Sequence, residues 1–145
     1  MFYTRKNNVL TLENNKDIIY LGDDIMCIFC KIIDGEIPSN TIYEDDKVKC
    51  ILDLNQMCLG HTLIIPKEHT LDINTIDKNT LSHIFDVAKI LDKRFKSKLN
   101  NDGLTIAVNS GIAQEVKHFH MHLMPKYENS KTMETDELYE ILKED

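Results

Sequence analysis

Apolar positions in this chain recur with two different periods, and the change of period marks out its elements. Leu81, Ile84, Phe85, Ala88, Leu91, Phe95 and Leu99 follow one another largely at steps of three and four, while Lys89, Asp92, Lys93 and Lys96 take the other side. That pattern predicts a long amphipathic helix over residues 80–99. Shorter apolar stretches bounded by turn residues predict strands: 41–44 and 47–52 around Asp45-Asp46, 63–66 after Gly60-His61, 104–109 after Asn101-Asp102-Gly103, and 116–125. Residues 29–34 form a short helical segment stopped by Gly35, and Pro38 enforces an extended continuation. Thr135 caps a last short helix carrying Leu138, Ile141 and Leu142 on one side. Strands on both flanks of one long helix predict an α+β domain with a mostly antiparallel five-stranded sheet and a short C-terminal helix.

Residues 1–25 differ from the rest. They are polar, rich in Asn and Lys, with brief apolar alternation at Val9-Leu10 and Ile18-Ile19-Tyr20-Leu21. They read either as an edge hairpin or as a loose N-terminal extension, and carry no catalytic pattern. Residues 26–145 are expected to form one domain that carries the chemistry, and Met26, just ahead of the first motif, is a candidate alternative translation start.

With 24 acidic residues against 17 Lys and Arg, the chain has a net charge of −7. Neither a nucleic acid polymer nor an anionic membrane is the expected partner, since both need a basic surface. No apolar run is long enough to span a bilayer, and the first twenty residues lack the apolar core of a secretion signal, so a cytoplasmic location is expected. In that compartment the four cysteines are not read as disulfides. Cys27-x-x-Cys30 has the spacing of half a metal site or a redox pair, whereas Cys50 and Cys58 are read as small buried residues.

The densest chemistry is His118-Phe119-His120-Met121-His122, three of the six histidines within five positions. On a strand, His118, His120 and His122 share one face, and Phe119, Met121 and Leu123 the other. Three imidazoles on an otherwise apolar strand are costly to desolvate without partners, which points to a site. One chemistry is a metal shared by two of them. At about 3.3 Å per residue, the outer two stand roughly 13 Å apart, too far for one ion with bonds of about 2 Å. The other is nucleophilic attack by a neutral imidazole, His120 being the natural nucleophile with a partner on either side.

The same residues resemble the signature of the histidine triad (HIT) superfamily of nucleotide hydrolases and transferases, His-φ-His-φ-His-φ-φ. Residues 27–39, Tyr43-Glu44-Asp45-Asp46, Ile51-Leu52-Asp53-Leu54 and Gly60-His61-Thr62-Leu63-Ile64-Ile65-Pro66-Lys67-Glu68-His69 resemble further blocks of that family, in order and near the usual spacing. The likeness covers about residues 26–127 and is nearest to a bacterial, Cys-x-x-Cys-bearing branch similar to nucleoside phosphoramidases.

The resemblance implies a HIT-like fold and a hydrolase or transferase that attacks the α-phosphate of nucleoside 5′-phosphoramidates or adenylated compounds through a nucleotidyl-histidine. His120 would be the nucleophile, with His122, His61 and Gln114 as further catalytic residues. The nucleotide would be held by Asp53 on the ribose, by Phe29, Ile51 and Leu52 around the base, and by Asn109, Gln114, His120 and His122 at the phosphate. Cys27, Cys30, His69 and His118 make a two-Cys, two-His set suited to a structural zinc, with no organic cofactor, and a homodimer is implied. A dinucleoside polyphosphate hydrolase, a non-catalytic nucleotide sensor and a strand-borne catalytic metal are the alternatives. The chain departs from the family pattern in a loop about two residues short at Asn109–Gln114, with Ala113 where Gly is common. It departs again at Glu115, where many relatives carry a hydroxyl, and at Gln56, Leu59 and Lys126.

Overall fold

The computed structural model describes residues 27–144 and, ahead of them, the backbone of three short strands. These are β1 (Tyr3–Lys6), β2 (Val9–Leu12) and β3 (Ile18–Tyr20), paired antiparallel in the order β1-β2-β3. The N-terminal apolar alternations fall in strands of a sheet distinct from the main one, so they add no edge to it; Leu21 and Met26 lie outside the described residues.

The main sheet contains β4 (Thr41–Glu44), β5 (Val48–Leu52), β6 (Thr62–Pro66), β7 (Gly103–Val108) and β8 (Met121–Lys126). Their order is β4-β5-β6-β8-β7, every neighbouring pair antiparallel. With α1 (Ile28–Ile33), α2 (Lys78–Leu99) and α3 (Thr135–Leu142), this is the α+β arrangement expected. Among the described residues, no helix is long and apolar enough to cross a membrane.

The sheet is covered on both faces, which explains why its central strands are apolar throughout. Along β5, Val48, Cys50 and Leu52 face α2 and α3, whereas Ile51 faces α1; on β6, Ile64 points one way and Leu63 and Ile65 the other. Every residue of β6 is buried. The short helix α1 thus seals the second face with Ile28, Phe29 and Ile32, and the site described below forms on that side.

Helix α2 begins two residues earlier than its apolar pattern predicts. Asp77 caps it, its carboxylate accepting from the N–H of Asn79 (3.0 Å) and Thr80 (3.2 Å). Its buried stripe is Ile84, Val87, Ala88, Leu91, Phe95 and Leu99. Phe85, assigned to that stripe from sequence, is 45% exposed, because one residue on from Ile84 is about 100° round the helix. At α3, Thr135 is the first helical residue; Glu134 takes the cap position without a side-chain bond. Cys50 is buried as expected, and Cys58 is half-buried.

The β4–β5 turn is closed by Asp45. One oxygen accepts from the N–H of Lys47 (2.8 Å) and Val48 (2.9 Å); the other accepts from the Tyr43 hydroxyl (3.0 Å) and lies 2.7 Å from His83 Nε2 on α2. Burial alone would raise the pKa of this carboxyl, but those four donors overcome it and bring it from 3.8 down to about 2.

Two consequences are measurable. Phe95→Ala should cost about 3–5 kcal/mol in denaturant unfolding while Phe85→Ala costs well under half of that, and equal losses would contradict the stripe. The depressed Asp45 carboxyl contributes stability that is present above its ordinary value and lost as pH falls from about 4 towards 2. Unfolding curves across that interval should therefore lose roughly 1–2 kcal/mol more in the parent protein than in Asp45→Asn.

Candidate active site and metal centre

Strand β8 starts later than the alternation predicts. His118 and His120 lie in an irregular run before it, and only His122 is a strand residue. The reason is local: the N–H of Phe119 donates to the Thr70 carbonyl (2.7 Å), so the run pairs with the loop after β6. The alternation of side chains survives nonetheless. Phe119, Met121 and Leu123 all enter the core under α2.

His118 turns away from its two companions. Its Nε2–H donates to the Pro66 carbonyl (2.8 Å), which leaves Nδ1 as the free lone pair. That nitrogen lies 3.4 Å from Cys27 Sγ, 3.6 Å from Cys30 Sγ and 3.1 Å from His69 Nδ1, and Cys30 Sγ lies 3.3 Å from His69 Nδ1. All four ligand atoms fall within 4.8 Å of one another. A tetrahedral zinc with bonds of about 2.0–2.3 Å needs its ligands roughly 3.3–3.8 Å apart, so the set fits a closed sphere. The Pro66 carbonyl supplies the outer hydrogen bond that orients such a ligand. Burial and the neighbouring Cys27 push the Cys30 thiol up to about 11, a protonated state that a bound cation would reverse.

His120 faces the other way, T-shaped to the Phe29 ring at 5.0 Å. Its Nδ1–H donates to the carbonyl of His118 (2.8 Å), so Nε2 carries the lone pair. Burial, reinforced by His122, takes its pKa down to about 4 against the pull of the His118 carbonyl and Asp53. At neutral pH the ring is an uncharged base.

A tautomer chain runs through the neighbouring residues. The N–H of Met57 donates to His61 Nδ1 (3.4 Å), so His61 carries its proton on Nε2. His61 Nε2 donates to His122 Nδ1 (2.9 Å) and lies 3.6 Å from Asp53 Oδ2, close enough for electrostatic attraction. With Nδ1 accepting, the neutral His122 bears its proton on Nε2, a buried atom with no partner among the described residues. Burial, with His61 beside it, holds His122 at about 4, and burial likewise lowers His61 against the attraction of Asp53. A free lone pair on His120 and an unused N–H on His122 thus stand on adjacent rings, 5.0 Å between centroids.

Both rings open onto a cleft of about 140 Å³. Of the residues singled out from sequence, Phe29, His61, Asn109, His120 and His122 line it. Asp53, fully buried, reaches it through His61 and accepts from the N–H of Asn55 (3.0 Å). Gln114 is also buried, its amide donating to the Leu71 carbonyl (2.6 Å), so it anchors the loop instead of lining the cleft. Ile51 packs with Phe29 and Ile32 beneath the cleft, and Leu52 joins the core on the opposite face. Met57, Leu63 and Val116 complete an apolar wall that was not singled out. Leu63 was accessible to that reasoning, since it pairs directly across from His122.

The approach to His61 is held by two residues. Gly60 has φ +90, and a Cβ there would stand 3.0 Å from Leu99 Cδ1 and 3.2 Å from Pro125 Cγ, so only glycine fits. Gln56, one of the departures noted above, clamps the loop: its amide N–H donates to the carbonyls of Asp53 (2.6 Å) and His61 (2.7 Å), and its oxygen accepts from Gly60 N (3.0 Å).

Comparisons with known proteins agree with this arrangement. Residues 34–129 match the HIT domain family. An uncharacterized HIT-like protein of Borreliella burgdorferi is 41% identical over 71% of this chain and 77% of its own length. The adenosine 5′-monophosphoramidase of Candida albicans is 44% identical over 69% of this chain and 70% of its own. The crystal structure of a zinc-bound histidine triad family protein from Mycobacterium smegmatis superimposes with a TM-score of 0.75 at 33% identity, covering 80% of this chain and 89% of that one. The chain belongs to the histidine triad (HIT) family, and its histidine cluster is consistent with nucleotidyl-transfer chemistry.

Proposed function

We propose that the protein hydrolyses nucleoside 5′-phosphoramidates or related adenylated compounds through a nucleotidyl group carried on His120. The observation that carries this reading is the adjacency of an uncharged His120, lone pair on Nε2, and the unpartnered N–H of His122. The likeness to a monophosphoramidase supports the substrate class. In the first step the His120 lone pair bonds to the α-phosphorus, and the leaving group departs with the electrons of its own bond to phosphorus, taking a proton from water in the cleft. A second water then attacks the same phosphorus and gives up a proton to solvent, and the P–N electrons return to His120. Through both steps the His122 N–H donates to a phosphoryl oxygen, oriented by His61, which Asp53 holds in turn.

The nucleoside packs on Phe29, with Ile51 behind it and Leu52 supporting the strand, and Asp53 is assigned the ribose hydroxyls. Asn109 positions the phosphate directly; Gln114 does so by fixing its loop. Cys27, Cys30, His69 and His118 would hold a zinc ion, whose role would be structural, tying α1 to the segment that carries His120. Residues 26–145 carry the activity, residues 1–25 standing outside it, in a cytoplasmic homodimer. The exposed Ile106 of edge strand β7 is one surface compatible with pairing.

His120→Asn should lower turnover of adenosine phosphoramidate by at least about 10³-fold while nucleotide affinity changes little. Quenching the parent protein in base during a single turnover should trap a protein heavier by one nucleotidyl group, because a phosphorus–nitrogen bond to imidazole survives base and not acid. No adduct, together with rate loss immediately reversed by added metal, would favour metal-bound hydroxide instead.

Elemental analysis should find about one zinc per chain, lost in Cys27→Ser or Cys30→Ser together with more than about 2 kcal/mol of stability. Protein purified without chelator and free of zinc would remove the metal from this account.

A further inference from the structure

We propose that Glu115 sorts substrates by the charge of the group that leaves the α-phosphorus, favouring cationic amines and rejecting anionic leaving groups such as polyphosphates; this rests on reading the cleft as a phosphoramidase site. Among the described residues the cleft is lined by ten, of which one is a carboxylate, Glu115, and none is Lys or Arg. A site shaped for a polyphosphate would be expected to meet its extra charges with cations or a bound metal. This one meets them with a like charge.

The position of that charge is set by its neighbours. Gln114 is buried and tied to the Leu71 carbonyl at 2.6 Å, and Val116 packs against the cluster built on α1, so the backbone of Glu115 is pinned on both sides. The side chain between them is exposed, and among the described residues no cation pairs with it. The nearest lysine in sequence is already engaged: Lys117 Nζ donates to the carbonyls of Gly111 (2.7 Å) and Gln114 (2.8 Å). The turn Gly111–Ala113 leads straight into this anchor, so the short loop delivers Glu115 to the cleft wall.

An exposed carboxylate acts through water. Its effect should be roughly three- to tenfold per unit charge on the leaving group, and should shrink as salt is raised, because the Debye length is only about 8 Å at physiological ionic strength.

Three adenosine 5′-phosphoramidates isolate this effect, with the nitrogen bearing propyl (neutral), 3-aminopropyl (cationic) or 2-carboxyethyl (anionic). The readout is the ratio of kcat/KM between cationic and anionic compounds, so that any loss common to all three cancels. The parent and Glu115→Asp should favour the cationic compound by about ten- to a hundredfold at low salt. Glu115→Gln should bring the ratio to within about threefold of that set by the compounds' own reactivities, and Glu115→Lys should invert the preference. Diadenosine tetraphosphate, as a polyanionic arm, should gain in Glu115→Lys. A ratio that stays within about twofold across the four proteins and across salt overturns the role of Glu115 and leaves the hydrolase reading standing. If the parent turns over none of the three compounds, the hydrolase reading fails instead. The same ranking is then read as affinity by calorimetry on His120→Asn, alone and with each Glu115 substitution; an affinity order blind to charge overturns the inference there as well.

Discussion

The hydrogen bond from His120 Nδ1 to the carbonyl of His118, at 2.8 Å, is the contact on which the site depends. It decides which nitrogen of His120 keeps a lone pair, and it ties that decision to the residue that reaches the two cysteines. His118 makes three commitments at once. Its ring Nε2 donates to Pro66, its Nδ1 faces Cys27, Cys30 and His69, and its backbone oxygen orients the next histidine. Any shift of His118 would be felt at His120 through one carbonyl, so the Cys/His cluster and the His120 ring are geometrically coupled. His118 and His120 stand two positions apart because alternation sends every second side chain to one side, while the break in strand geometry lets the first of them rotate away.

The fold supplies the rigidity this requires. Burying both faces of β5 and β6 leaves those strands little freedom to slip, since a one-residue slip would exchange Cys50 and Leu52 for Ile51 across the sheet. The histidines benefit directly, because His122 is paired in register with Leu63 on one side and Ala107 on the other. Enclosure also sets their protonation. Burial holds His118, His120 and His122 at about 4, so the cluster is neutral where it must act as lone pairs and N–H donors. An open surface would leave the same side chains near their ordinary value and partly charged.

Residues 53–61 show how a departure from a family pattern can be absorbed. Gln56 stands where small residues or proline are frequent, yet its amide satisfies two carbonyls and its oxygen caps Gly60 N–H. The loop that carries His61 is thus held by a side chain, and the closely packed Gly60 sets its exit angle. The shortened loop before Gln114 is absorbed differently. A single 3₁₀ turn over Gly111–Ala113 replaces the longer connection, and the buried Gln114 amide pins its end to Leu71.

Much of this molecule is readable from its residues alone, because local patterns report local geometry. Periodicity identifies α2 and the strands of the main sheet, and the family resemblance groups His118 with the cysteines. What pattern could not supply was everything set by distant contacts. Phe85 reads as core until the helix meets a sheet that accepts Val87 instead, and β8 reads as continuous until Phe119 N–H finds Thr70. Gln114 reads as a ligand contact, but whether a polar side chain faces a cleft or a backbone carbonyl depends on partners such as Leu71, 43 residues away. Sequence determined which elements form and which chemistry-bearing residues they carry. Tertiary structure alone decided tautomers, neutrality and the charge of the cleft wall, because those properties arise from burial and from hydrogen bonds between segments that are far apart in the chain.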